Sequence, residues 1–133
     1  MQRLFVYGTL EFPEVVNHLL GTELRGENAV LNGYARYMLV NRHYPGIIRR
    51  PNARVEGILY HGITPKYLRL LDRYEDEIYE RKMIQVTDSQ GHCIDAWSYV
   101  IPLRFKKELT SLPWNREKFA NHHLKRFLNV CCR

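Results

Sequence analysis

No run of about 18 consecutive apolar residues occurs in this 133-residue chain, so no helix is expected to span a membrane. The opening stretch, Met1-Gln2-Arg3-Leu4-Phe5-Val6-Tyr7-Gly8, is too short in apolar residues for a signal peptide, and a cytoplasmic protein is expected. Cysteine is scarce. Cys93 lies in a strand-like run, while Cys131 and Cys132 are adjacent at the end of the sequence, which suggests no disulfide framework. The six histidines show neither HExxH nor a Cys–His pattern at zinc-site spacing, so no metal is expected. GxSxG, the P-loop and GxGxxG are all missing, which removes the usual sequence marks of a nucleophile elbow or a glycine-rich phosphate cradle. Repeats, low-complexity tracts and linkers are missing too. One domain over residues 1–133 is expected.

The formal net charge is +6. Its basic residues are scattered, with no aromatic-interleaved stripe and no nucleic-acid motif, so nucleic acid is not expected as the partner.

Leu4 to Tyr7 reads as a buried strand that ends in a turn at Gly8. Pro13 to Leu20 reads as a helix with Pro at its first position and Gly21 after its end. The corner between them, Tyr7-Gly8-Thr9-Leu10-Glu11-Phe12, exposes backbone amides beside a helix start. It is either a seat for a carboxylate or oxyanion, or simply a turn. Ala29 to Val40 reads as a strand bent near Gly33. Pro45-Gly46 reads as a turn before a short apolar run, and Val55 to Tyr60 as a further strand. Tyr79 to Thr87 and Cys93 to Ile101 form a hairpin about Asp88-Ser89-Gln90-Gly91. After a loop around Pro102 and Pro113, one last helix is expected from Trp114 to about Val130. Trp114, Phe119, His122 or His123, Phe127 and Val130 can line its inner face. Helices do not alternate regularly with strands, so a doubly wound sheet is not expected. The order favours an α+β fold, a mixed and mostly antiparallel small β-barrel with flanking helices.

Thr64-Pro65 opens another helix, with Thr as N-cap and Pro in the first turn. At about 100° per residue, Tyr67, Leu68, Leu70, Leu71 and Tyr74 share one arc. Glu75 falls inside that arc, while Asp72, Arg73 and Asp76 fall outside it and face water. A carboxylate turned toward a core loses hydration, which raises its pKa into the range useful for proton transfer. Alternatively, Glu75 merely ends the helix and bonds an arginine or an amide. Glu77 and Glu80 lie nearby, and a two-residue change of phase would favour another acid. One inward carboxylate and an amide loop, without a protein nucleophile, suit a reaction whose nucleophile the substrate carries.

Four segments occur in order: Phe5-Val6-Tyr7-Gly8-Thr9-Leu10, Tyr44-Pro45-Gly46-Ile47, Val55-Glu56-Gly57-Ile58-Leu59, and Leu71-Asp72-Arg73-Tyr74-Glu75 with Tyr79-Glu80-Arg81. Together they resemble the gamma-glutamylcyclotransferase-like family, and its plant avirulence-induced branch in particular. The tail, Trp114-Asn115-Arg116-Glu117-Lys118-Phe119 followed by His122 or His123 and Phe127, is similar to that branch as well. The resemblance implies a barrel with flanking helices and a cofactor-independent acyltransferase-type enzyme. Its substrate would be a small gamma-glutamyl amino acid or amine, held by the Tyr7, Gly8, Thr9 and Leu10 loop. Glu75 would be the general acid/base of an internal aminolysis that releases 5-oxoproline and a free amine. The competing reading is a non-catalytic binding module of the same fold, whose basic surface takes an anionic partner.

Overall fold

The computed structural model describes residues 2–131, with side chains through residue 129. Readings placed on Cys132, and on the side chains of Val130 and Cys131, therefore lie outside the described residues. Five strands form a closed barrel in the order β1-β3-β2-β4-β5: β1 (Gln2–Val6), β2 (Gly26–Met38), β3 (Pro45–Ile63), β4 (Glu80–Thr87) and β5 (Cys93–Val100). All pairings are antiparallel except the one that closes the barrel, where β1 meets β5 in parallel at Leu4↔Trp97.

Strand alternation divides β1 between two cores. Phe5 and Tyr7 join Leu31, Val55, Leu59 and Ile84 in a cluster that draws on every strand and no helix, which is the barrel interior. Leu4 and Val6 point the other way, into a cluster with Val15, Leu68, Leu71 and Phe119 from the helices and Trp114 from the loop before the last of them. Ser98 is buried among these layers and its hydroxyl donates to the Phe5 carbonyl at 2.9 Å. Among the described residues, no helix is long and apolar enough to cross a membrane.

Helix α1 (Pro13–Leu20) ends at Gly21, as expected. Helix α2 (Pro65–Tyr74) is capped by Thr64, whose Oγ1 accepts from the Tyr67 amide at 3.1 Å. Two expectations are corrected. Pro45-Gly46 makes no turn: both residues open β3, paired with Met38 and Tyr37, and the second apolar run belongs to the same 19-residue strand. Both runs share β2 as partner. The polar residues between them are carried as an outward bulge, where the register passes from Asn32↔Arg54 to Tyr34↔Arg49. Gly33 at φ 83° and Asn52 at φ 68° supply the left-handed backbone that the bulge needs.

The last helix is likewise two helices, α3 (Arg116–His122) and α4 (Leu124–Cys131). Asn115 caps α3 by accepting from the Lys118 amide at 2.8 Å, which leaves Trp114 before the helix. The chain breaks at His123, whose ring stacks on His43 with centroids 3.8 Å apart. Because of this break, α4 turns back and brings Phe127 edge-on to Tyr44 and Tyr74.

Gly57 sets how closely β1 and β3 approach. A Cβ there would stand 2.2 Å from the Val6 carbonyl oxygen and 2.8 Å from Phe5 Cζ. Neither the backbone nor a fully buried ring can yield cheaply. Gly57→Ala is expected to lower unfolding stability by about 3 kcal/mol, the upper part of the overpacking range. A shifted urea midpoint at unchanged slope is the check; an unmoved midpoint would mean that β1 does not pack there.

Candidate active site

The turn after β1 builds one wall of the site. Residues Thr9–Glu11 form a single 3₁₀ turn in which the Glu11 amide donates to Gly8 and the Phe12 amide to Thr9. A helical first turn leaves its leading amides without internal partners. The amides of Gly8, Thr9 and Leu10 accordingly meet no backbone acceptor among the described residues. The segment is fixed from several directions. The Tyr7 hydroxyl donates to the Tyr99 carbonyl at 2.6 Å, Thr9 Oγ1 and the Tyr74 hydroxyl share a bond of 2.8 Å, and the Tyr60 hydroxyl donates to the Leu10 carbonyl at 2.8 Å. Arg36 Nη1 donates to the Tyr7 carbonyl at 2.8 Å. Gly8 packs so near β3 that a Cβ would come within 2.8 Å of Pro45.

Glu75 forms the opposite wall. It stands one residue beyond α2 as its C-cap, in extended conformation, with its amide donating to Leu71 at 3.0 Å. The plainer expectation, that Glu75 ends the helix, is therefore right about the backbone. It is not right about the side chain, because among the described residues no arginine or amide bonds this carboxylate. Instead Glu75 faces a cavity of about 540 Å³ of empty space, mouth included, that Gly8, Thr9 and Leu10 line from across. Loss of hydration pushes its pKa up to about 8, and the negative charges of Asp76 and then Asp72 add to the rise. Burial also holds the Tyr7 phenol well above its usual range, with the Glu75 charge contributing. Glu77 is exposed, and Glu80 lies 3.6 Å from Arg104, so neither alternative acid faces this cavity.

Helical phase misjudged one aspartate, Asp76, while Asp72 does face water, its side chain 39% exposed. Asp76 lines the cavity rather than facing open water, and accepts from Arg42 Nε at 3.2 Å and from the Tyr44 hydroxyl at 3.1 Å. Asp72 accepts from the Tyr99 hydroxyl at 2.6 Å and from Arg81 Nε at 2.9 Å. A helical wheel knows which way a side chain points but not what packs over it. Here β5 and the segment after β2 supply the partners. The site also holds more tyrosine than the sequence reading assigned to it. Of the nine tyrosines, Tyr7, Tyr44, Tyr74, Tyr79 and Tyr99 line the cavity. The available signal was the recurrence of tyrosine in three of the four quoted motifs, at Tyr7, Tyr44, Tyr74 and Tyr79.

Chemically, the arrangement is a proton-transfer group that titrates near neutrality, facing a row of unused amide donors inside a largely apolar, aromatic chamber. Its linkage has a definite sign. Because folding raises the Glu75 pKa, the folded state holds more protons than the unfolded state between about pH 4.5 and 8. Stability is fully present below that window and declines as pH rises through it. Glu75→Gln cannot titrate, so its melting temperature is expected to gain on wild type between pH 5 and pH 8. A constant difference across that range would mean that Glu75 is ionised throughout.

The family model described as gamma-glutamyl cyclotransferase, AIG2-like, matches residues 4–119. AIG2-like protein D of Arabidopsis thaliana is 33% identical over 132 residues, covering 98% of this chain and 86% of the relative. An Arabidopsis thaliana protein solved in solution superposes with a TM-score of 0.76 at 27% identity, over 97% of this chain and 87% of that one. A solved gamma-glutamyl cyclotransferase gives a TM-score of 0.65 over 76% of this chain and 66% of that one, and at 16% identity it shares the fold alone. A match over this length, to both sequence relatives and the barrel, decides the assignment: the chain belongs to the gamma-glutamyl cyclotransferase, AIG2-like family.

Proposed function

We propose that the protein is a gamma-glutamyl cyclotransferase that converts a gamma-glutamyl amino acid or amine into 5-oxoproline and a free amine. One observation carries this reading. A carboxylate without a cation partner among the described residues shares one cavity with three amides that meet no acceptor among them, and no protein nucleophile is needed beside them. The family and the shared fold support the same reaction type.

The substrate's α-ammonium enters beside Glu75, and its positive charge favours the ionised carboxylate. Glu75 takes one proton from that nitrogen. The freed amine attacks the γ-carbonyl carbon, a C–N bond closes the five-membered ring, and the carbonyl π electrons move onto oxygen. Glu75 passes its proton to the leaving nitrogen and takes the second proton of the ring nitrogen. When the electrons return, the original amide C–N bond breaks, and the departing amine accepts that second proton from Glu75 and leaves as an ammonium. Electrons and protons balance with one carboxylate in two roles. Amides of Gly8, Thr9 and Leu10 hold an anionic oxygen of the substrate, and confinement by the tyrosines fixes the reacting atoms in register.

Release of 5-oxoproline from a panel of gamma-glutamyl dipeptides, glutathione and gamma-glutamyl-lysine tests this directly. Wild type should release 5-oxoproline from at least one member. Glu75→Gln should reduce turnover by roughly 100- to 10,000-fold, the usual worth of a positioned acid/base. Binding should change far less, because the amide wall is untouched. An inactive wild type across the panel, or a fully active Glu75→Gln, would remove the proposal.

A further inference from the structure

The peptide between Tyr7 and Gly8 is a partition. Its Gly8 side lines the chamber with Glu75, whereas Arg36 lines a separate outer groove with Glu11, Glu56 and Arg116 and does not line the chamber. Arg36 Nη1 reaches the Tyr7 carbonyl from that groove at 2.8 Å. No cis peptide occurs among the described residues, so the Tyr7 oxygen and the Gly8 hydrogen point in opposite directions across one plane. A guanidinium behind the partition therefore acts on an N–H that points away from it, toward the substrate.

Two consequences follow. A charge-assisted bond to a carbonyl draws electron density along the amide, and the N–H of the same peptide becomes a stronger donor. The guanidinium is also itself restrained. Nη1 makes a second, longer bond to the Glu56 carbonyl at 3.3 Å, and the group lies 5.5 Å from the Trp114 ring centroid. Trp114 is buried, and its Nε1 donates to the His43 carbonyl at 2.9 Å. Glu11, at the far end of the same turn, has its pKa pushed up to about 7 by loss of hydration, which the charges of Arg36 and then Arg116 offset only in part. The firm hold on the turn from behind is therefore the Arg36 bond at its Tyr7 end.

We propose that Arg36 is a positioning residue for the reaction, fixing the Tyr7–Gly8 peptide from outside the chamber and strengthening the Gly8 amide as a donor to substrate oxygen. The assignment rests on the cyclotransferase reading for its catalytic consequence. Its structural part, the effect of Arg36 on the Gly8 amide, does not need turnover to be measured.

The test uses the full chain labelled with ¹⁵N, as wild type, Arg36→Met and Arg36→Lys, with 5-oxoproline as the probe ligand. In the free protein, Arg36→Met should move the Gly8 amide proton upfield, and Arg36→Lys, which keeps the charge, should leave it near the wild-type position. On whichever panel member is turned over, Arg36→Met should lower kcat/KM about tenfold, well short of the roughly 100- to 1,000-fold lost with an oxyanion donor itself. Arg36→Lys should restore most of that loss, and 5-oxoproline should bind Arg36→Met more weakly in the same proportion. A Gly8 amide proton that does not move in Arg36→Met overturns the proposal, even if the melting temperature falls, because that pattern describes a structural arginine. If wild type turns over no panel member, the cyclotransferase reading fails on its own, and the free-protein Gly8 resonance still decides what Arg36 does.

Discussion

The cost of taking one carboxylate out of water governs the architecture of this site. Glu75 gives up hydration and receives no cation among the described residues in return, so the surrounding structure must hold it there. Its neighbours are arranged accordingly. Asp76 is neutralised by Arg42, which also reaches Glu108 at 3.2 Å, and Asp72 is engaged by Arg81 and the Tyr99 hydroxyl. The two flanking acids thus have partners while the central acid has none among the described residues. That contrast sets Glu75 apart from its neighbours, and it cannot be produced by local sequence alone.

Much of the fold was legible because it depends on short-range rules. Gly8 as strand stop, Pro13 and Gly21 around α1, Thr64 as cap and Asp88 to Gly91 as hairpin turn all act within a few residues. Errors arose where a distant partner overruled a local signal. Pro45-Gly46 has the composition of a turn, yet β2 is long enough to pair with residues on both sides of the polar bulge, and pairing prevails. The Trp114-to-Val130 segment has the composition of one helix, yet the backbone leaves the helix at His123, whose ring stacks on His43 from a distant segment.

The site divides along the same line. Glu75 was found from helical phase together with the family motifs, although it lies just past the helix, because a C-cap residue still projects from the last turn in nearly the same direction. The amide loop was found from its strand-to-helix corner. Tyr44, Tyr79 and Tyr99 come from three separate segments of chain, and only the closed barrel brings them together. Arg36 is the extreme case. It acts on the loop through a carbonyl, from the far side of a peptide plane, and nothing in its sequence neighbourhood marks it.

Closing the barrel through β1 and β5 also has a kinetic meaning. Leu4 meets Trp97 across a separation of 93 positions, 97 − 4, and this parallel seam is the join that closes the cylinder. Joining ends so far apart carries a loop-closure entropy that nearby pairings do not, and such topologies fold slowly. The amide loop leaves directly from β1, so it acquires its shape when that seam forms rather than when its own residues emerge from the ribosome. A nascent chain short of β5 holds every residue of the loop and Glu75, but not the chamber that makes either of them unusual.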